Sequence, residues 1–106
     1  MADSERTQQL KAIIAQDPAN TLARYALGME YSGMGEVDAA VAAFRELIAN
    51  NPDYANAYFM AAQALSNADR KDEAKVLLRE GIAAAKRANN RHAESEMTAM
   101  LDEMEY

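Results

Sequence analysis

Histidine and serine are the side chains of this sequence that could carry acid–base or nucleophilic catalysis. The one histidine, His92, stands beside Arg91 at a predicted turn. The serines are Ser4, Ser32, Ser66 and Ser95. Serine catalysis needs a nearby histidine and an acid that orients it, and none of the four has that arrangement. We therefore expect His92 to be a solvated turn residue, and we expect no catalytic residue and no enzyme.

Metal and cofactor sites also lack their usual signatures. Cysteine is absent, which excludes disulfides and thiolate ligands, and one histidine cannot form a multi-histidine metal site. The acid pairs Asp72-Glu73 and Asp102-Glu103 lie in helical patterns and lack the spacing of a calcium loop. Gly33-Met34-Gly35 joins two predicted helices, so it is a turn and not a phosphate-binding loop. The sequence predicts no metal and no cofactor.

Length and charge narrow the class of protein further. A chain of 106 residues allows one domain. Seventeen acids against eleven bases leave a net charge of −6, so phosphate would repel the chain, and we expect neither a nucleic acid nor a membrane as partner. The polar start is no signal peptide, and no apolar run approaches the ~20 residues that span a bilayer. We expect a small cytoplasmic protein.

The sequence pattern indicates that any binding residues of this chain are positioned by helices. Alanine is abundant, β-branched residues are sparse, and apolar residues recur at spacings of three and four, as in Val37, Val41, Phe44 and Ile48. The pattern predicts six helices, at about 4–16, 20–33, 36–50, 54–67, 70–88 and 93–105. Gaps this short force consecutive helices to pack antiparallel.

The breaks between the helices contain residues that favour turns and caps. Asn20 can cap the second helix, and Gly33-Met34-Gly35 allows a tight reversal. Asn50-Asn51-Pro52-Asp53 repeats the stop-and-cap pattern of Asp17–Asn20, whereas Asn67-Ala68-Asp69 makes a turn without glycine. Asn89-Asn90 is the last break.

The sequence contains an internal repeat. Segment 21–54 aligns with 55–88, and the turn segments 33–36 and 67–70 fall in register. The matched positions are Ala23/Ala57, Ser32/Ser66, Asp38/Asp72, Ala40/Ala74, Arg45-Glu46/Arg79-Glu80 and Ile48-Ala49/Ile82-Ala83, with Tyr25/Phe59 and Phe44/Leu78 similar. A period of about 34 residues is typical of helical repeat proteins.

The repeat resembles the tetratricopeptide repeat family. The motif residues of the first copy are Leu27-Gly28, Tyr31, Ala40, Phe44 and Pro52, and those of the second are Tyr58, Ala61-Ala62, Leu65, Ala74 and Leu78. Gly81 and Lys86 depart from the family pattern. The resemblance implies an all-α, right-handed α-solenoid of antiparallel helix hairpins in which Gly28 permits close helix approach.

The resemblance also divides the single domain, 1–106. We expect a flanking helix at 4–20, repeats at 21–54 and 55–88, and a capping helix at 89–106. The capping helix keeps first-helix spacing only after a slip of five residues. Its methionines, Met97, Met100 and Met104, are predicted to fill the core, although a methionine-rich binding surface is the alternative.

Proteins of this family hold a peptide or a partner helix in a concave groove lined by their first helices. The corresponding positions here are Leu22, Tyr25, Met29, Ser32, Asn56, Phe59, Gln63 and Asn67. The alternative is that Tyr25 and Phe59 only pack between neighbouring first helices. Relatives that bind the terminal carboxylate of heat-shock chaperones use a lysine and asparagine clamp. Tyr25, Met29 and Met60 occupy the clamp positions here, so that partner is not expected.

Two functions therefore remain open. The first is a protein-interaction module that binds a protein or peptide in the groove. The second is a homodimer built through open solenoid ends. Two repeats are fewer than the three or more that a stable array usually needs, and Leu10, Ile13 and Ile14 of the first helix have no preceding helix to cover them. Segment 70–91, with seven of the eleven bases, either complements the helix dipole or forms a basic outer face for an acidic partner.

Overall fold

A computed structural model describes residues 3–105, which fold into six α-helices joined by short turns. The helices are α1 (Glu5–Gln16), α2 (Thr21–Gly33), α3 (Val37–Asn50), α4 (Ala55–Asn67), α5 (Lys71–Arg87) and α6 (Arg91–Met104). No strand occurs within residues 3–105. The predicted all-α helical repeat fold is confirmed, and the predicted helices match the observed ones to within two residues at each end.

Side-chain caps begin three of the helices. Ser4 and Thr7 form a capping box at α1. The side chain of Asn20 accepts a hydrogen bond from the Ala23 amide at 2.9 Å, and Asn90 does the same for the Ala93 amide at 3.1 Å. Each bond satisfies a backbone donor that the helix itself leaves free. The predicted cap at Asn20 is confirmed.

Two expectations at helix starts are wrong. Residues 50–53 provide no cap for α4, because the N-cap position falls to Tyr54, which makes no side-chain capping bond. His92 lies in the first turn of α6 and not in the preceding loop, because Asn90 starts that helix two residues earlier than predicted. The slip of the capping helix is also two residues and not five, since α2, α4 and α6 begin at positions 21, 55 and 91.

Three helices end in the same hydrogen-bonded turn. After α2, α4 and α5, the backbone passes through a left-handed residue, namely Gly35, Asp69 or Asn89, with φ of 76°, 61° and 58°. The next amide then returns to a carbonyl five residues earlier, as in Glu36 to Tyr31 at 3.0 Å. This arrangement is the Schellman motif, and it satisfies carbonyls that the helix end leaves open. Each motif therefore sends the chain back along the helix it has just left.

Consecutive helices pack against each other, and the molecule is built in two layers. Helices α2 and α3 form one hairpin and α4 and α5 the next, while α6 packs on α5 and touches α4. Among the described residues, helix α1 packs on α2 alone. The layer of α2, α4 and α6 has its own internal contacts. The core between the layers contains Leu27, Tyr31, Phe44, Leu47, Tyr58, Leu65, Leu77, Leu78 and Met97. The division into repeats at 21–54 and 55–88 stays a prediction.

Two glycines allow the layers to approach closely. A Cβ atom on Gly28 would lie 2.5 Å from Cε1 of the Phe44 ring, so the expected role of Gly28 is confirmed. A Cβ atom on Gly81 would lie 2.5 Å from Sδ of Met97 and 2.6 Å from Cβ of Tyr58. Gly81 departs from the family pattern because two large side chains occupy the space that a side chain there would fill.

Ion pairs connect neighbouring hairpins across the outer surface. Arg45 binds Glu80 through two hydrogen bonds of 2.6 and 3.1 Å, and Arg87 pairs with Asp53. Arg70 pairs with Asp38 and Glu73, which raises the pKa of its guanidinium, the bond to Glu73 contributing most. Lys75 and Arg79 both pair with Glu105. Four of the seven bases of segment 70–91 therefore have acidic partners, namely Arg70, Lys75, Arg79 and Arg87. This pairing weakens the interpretation of that segment as a basic docking face.

Candidate partner-binding face

The eight residues predicted for the groove lie on α2 and α4, which are neighbours in one layer. We call their common surface the first-helix face; it comprises Leu22, Tyr25, Met29, Ser32, Asn56, Phe59, Gln63 and Asn67. Leu22 has 77% of its surface exposed, and Met29 has 37%. Tyr25 and Phe59 are half-buried and pack against the core. The amide residues at this face are all exposed.

Tyr25 holds the two helices of this face together. Its ring meets Phe44 edge-on at a centroid distance of 5.9 Å and lies 5.9 Å from Tyr54. The side-chain amide of Asn56 donates a hydrogen bond to the Tyr25 hydroxyl at 2.9 Å. Burial, followed by the proximity of Tyr54, raises the pKa of Tyr25. The Tyr25 hydroxyl is therefore neutral at physiological pH, and the contacts with Phe44, Tyr54 and Asn56 hold its side chain in place.

Shallow cavities open at both ends of the first-helix face. One, of about 230 Å³, lies where α2 and α4 end and is lined by Ser32, Val37 and Asn67. The other, of about 400 Å³, lies where α4 and α6 begin. Its lining includes Asn56, His92 and Glu96. Each cavity has room for one side chain of a bound segment.

Helix α6 contributes residues that the sequence comparison did not assign to the face. His92 and Glu96 reach the larger cavity, and their side chains approach to 3.6 Å. The signal that could have found them is the shared cap, because Asn20 and Asn90 each begin a helix of the same layer. Because α6 begins two residues later than the 34-residue period predicts, aligning the sequence at that fixed period does not match α6 with α2 and α4.

Residues 3–105 contain no group of three or more histidine, cysteine, aspartate or glutamate side chains placed to hold a metal ion. None of the six helices described is long and apolar enough to cross a membrane. What the described residues do provide is an apolar and amide-lined face on a rigid layer of helices. The fold and this face together define a helical-repeat scaffold for protein interactions.

Comparison with known families agrees with this class. A tetratricopeptide repeat family model matches residues 31–94, which is more than half of the chain. The chain belongs to the tetratricopeptide repeat family.

Solved structures of similar proteins show the same fold. A tetratricopeptide repeat domain protein from Salinibacter ruber is 29% identical with a TM-score of 0.75, over 84% of this chain and 90% of its own. Protein BPP2914 from Bordetella parapertussis is 25% identical with a TM-score of 0.77, over 96% of this chain and 89% of its own. The type III secretion translocator chaperone SycD from Yersinia enterocolitica has a TM-score of 0.79 at 17% identity, over 93% of this chain and 69% of its own, a likeness of fold alone. No curated protein matches the chain.

Proposed function

We propose that this protein binds a peptide segment or a helix of a partner protein on the first-helix face. The observation that carries the proposal is the exposure of Leu22 and Met29 beside the half-buried Tyr25 and Phe59. Apolar side chains left exposed on a rigid surface gain free energy when a partner covers them. The exposed side-chain amides of Gln63 and Asn67 can form hydrogen bonds with the backbone of a partner. Such bonds would orient the partner on the apolar surface.

The central test uses exposed side chains, because their replacement leaves the core intact. We expect the double variant Leu22→Ser and Met29→Ser to bind a captured partner about tenfold more weakly, because the two substitutions together remove about 1–2 kcal/mol of apolar burial at the interface. The variant Tyr25→Ala with Phe59→Ala is expected to abolish capture. Affinity capture followed by calorimetric titration of the purified partner measures both.

The matched control removes two other exposed apolar side chains. Ile13 and Val76 are 46% and 48% exposed and lie off the first-helix face. Ile13→Ser with Val76→Ser should keep wild-type affinity, and circular dichroism should show equal helicity for the wild type and these two pairs of exposed substitutions. Equal loss of binding in both pairs, or in neither, would show that the partner binds elsewhere.

A homodimer is the second candidate, and one observation favours it. Helix α1 packs on α2 alone within residues 3–105, and Ile13 is exposed on α1. The expectation that Leu10 is uncovered is wrong, because Leu10 is buried in the core. A second copy that packs against α1 would cover Ile13. This hypothesis predicts a dimer mass in light scattering at high micromolar concentration that Ile13→Asp converts to a monomer. A monomer mass for the wild type rejects it.

A further inference from the structure

The first-helix face continues from α2 and α4 onto α6. Asn20 and Asn90 cap their helices in the same way, and Leu27 and Met97, each seven residues after its cap, are both buried. This register places His92, Ser95, Ala99 and Asp102 on α6 where α2 carries Leu22, Tyr25, Met29 and Ser32. All four are exposed.

The charge of the face is confined to its α6 part. The eight residues from α2 and α4 are all uncharged. The α6 part adds Glu96, which lines the larger cavity, and Asp102 and Glu103 in the last turn. Within residues 3–105, these three carboxylates make no ion pair with a lysine or arginine; only His92 approaches Glu96.

Few bases within residues 3–105 are free to offset this charge, because all but Lys71, Lys86 and Arg91 make an ion pair with an acid. Arg70, Lys75, Arg79 and Arg87 of segment 70–91 already pair with acids, and so does Arg45 of α3. Helices α2, α4 and α6 also run in the same direction, because each is separated from the next by one antiparallel helix. Their C-terminal ends therefore place partial negative charge on the same side as Asp102 and Glu103.

We infer that the partner segment is both apolar and cationic. Its apolar side chains cover Leu22, Tyr25, Met29 and Phe59, and its lysine or arginine side chains meet Glu96, Asp102 and Glu103. This inference rests on the proposed function, to which it adds the chemistry of the partner. The charge of the face would repel an acidic segment, so the face discriminates between partners of similar hydrophobicity.

Synthetic peptides of matched length provide the probe. In the first peptide, leucine residues recur at spacings of three and four, as on one face of a helix, and lysine residues occupy positions between them. The second peptide replaces each lysine by glutamate, and the third replaces each leucine by serine. We expect only the leucine–lysine peptide to bind, as measured by fluorescence anisotropy. Raising the salt to about 0.5 M should weaken its binding, because screening shortens the reach of exposed charges.

Two triple variants locate the charge that matters. Glu96→Gln, Asp102→Asn and Glu103→Gln together should weaken binding of the leucine–lysine peptide about tenfold, the sum of three exposed ion pairs. Glu5→Gln, Asp17→Asn and Asp72→Asn change the net charge equally, at exposed positions outside the face. They should weaken binding less than about twofold, because those charges are screened from the peptide. The α6 variant is expected to fold, because all three positions are exposed and two of the acids lie at a helix C-terminus, where removing negative charge is favourable.

The outcomes separate this inference from the proposed function. If the peptide binds the α6 variant as well as the wild type, or if both triple variants lose equal affinity, the cationic partner is wrong. Equal binding of the glutamate or serine peptide also overturns it. If instead the Tyr25→Ala and Phe59→Ala variant binds the leucine–lysine peptide as tightly as wild type, the first-helix face is not the site, and both proposals fail.

Discussion

Gly28 and Phe44 show how one small residue sets the distance between two helices. The Phe44 ring lies where a Cβ atom of Gly28 would be, and both residues are buried. At the equivalent positions of the second hairpin, the chain carries Ala62 and Leu78, also buried. A slightly larger residue on the first helix is thus accompanied by a smaller one on the second. The pair keeps a similar total volume although neither member is identical between the two hairpins.

This compensation makes a prediction that a double-mutant cycle can check. Gly28→Ala should destabilise the protein by about 1–3 kcal/mol through overpacking. Adding Phe44→Leu should recover part of that loss, since it recreates the pair Ala62 and Leu78. Urea denaturation of the two single variants and the double variant measures the coupling.

Gly33 provides the control for this cycle. It lies in the last turn of α2, and a Cβ atom there would meet nothing within 4 Å. Gly33→Ala should therefore leave stability unchanged or raise it by up to about 1 kcal/mol. Additive effects of Gly28→Ala and Phe44→Leu would contradict the compensation.

The ionisation of Asp3 makes the contact between α1 and α2 dependent on pH. Its carboxylate accepts hydrogen bonds from Lys11 at 2.9 and 3.0 Å and from the Tyr31 hydroxyl at 2.8 Å. The bond to Lys11 contributes most to lowering the pKa of Asp3, and the bond to Tyr31 follows. The charged carboxylate therefore stabilises the folded chain at neutral pH.

The sign of the pH effect follows from that lowered pKa. The stabilisation is fully present above the unfolded pKa, at about 3.9, and is lost as the pH falls through the lower folded value. The stability difference between wild type and Asp3→Asn should thus be constant from pH 7 to about pH 5 and shrink below that. Urea midpoints at several pH values measure it. A difference that grows on acidification would contradict this account.

At the scale of a helix, the start of α6 shows how neighbouring residues can fix a helix end in different ways. It packs on α5 and touches α4, but within residues 3–105 no helix follows to cover it. Its N-terminus is fixed by Asn90, which caps the helix, and by Asn89, whose positive φ completes the preceding turn. The neighbouring asparagines thus have different roles, one through its side chain and the other through its backbone.

Different roles predict different responses to substitution. Asn90→Ala removes a capping bond and should cost about 1 kcal/mol. Asn89→Gly keeps the left-handed backbone and should change stability by less than about 0.5 kcal/mol. Hydrogen exchange should show faster exchange in the first turn of α6 for Asn90→Ala only. Equal effects of the two substitutions would contradict the assignment of the cap.

At the scale of the whole molecule, Met97 joins α6 to the rest of the helix stack. It is fully buried, and its sulfur occupies the space that Gly81 leaves free. In a repeat protein each unit contacts only its neighbours, and within residues 3–105 α6 contacts only α5 and α4. Arg79 and Lys75 then hold the far end of α6 through Glu105.

Loss of this buried contact should destabilise the entire domain. We expect Met97→Ala to cost about 2–4 kcal/mol, as a buried truncation that leaves a cavity. Met29→Ala, on the exposed first-helix face, should change stability by about 0.5 kcal/mol or less. Thermal unfolding followed by circular dichroism compares them. Equal melting temperatures for the two variants would show that α6 contributes little to the core.

Much of the architecture could be predicted from the sequence because its signals are local. Apolar spacing, the glycines at 33 and 35 and the asparagine at 20 act within one or two helical turns of their own position. The internal repeat of 21–54 in 55–88 then implied which helices pair. The errors at Tyr54 and His92 have a local cause as well. Before α4 and before α6, more than one neighbouring residue is of a type that favours the N-cap position, and the type alone does not show which of them is used.

The tertiary structure decided which side chains make each contact. Arg24 donates to the Pro18 carbonyl at 2.7 Å, and Tyr58, at the equivalent position of the second repeat, donates to the Pro52 carbonyl at 2.6 Å. Different chemistry thus fulfils one role, which residue identity alone does not reveal. Likewise, the bond between Tyr25 and Asn56 and the place of α6 beside α4 arise only when the layers pack. Periodicity shows which side of a helix is apolar, but the neighbouring helix decides how much of that side stays exposed for a partner.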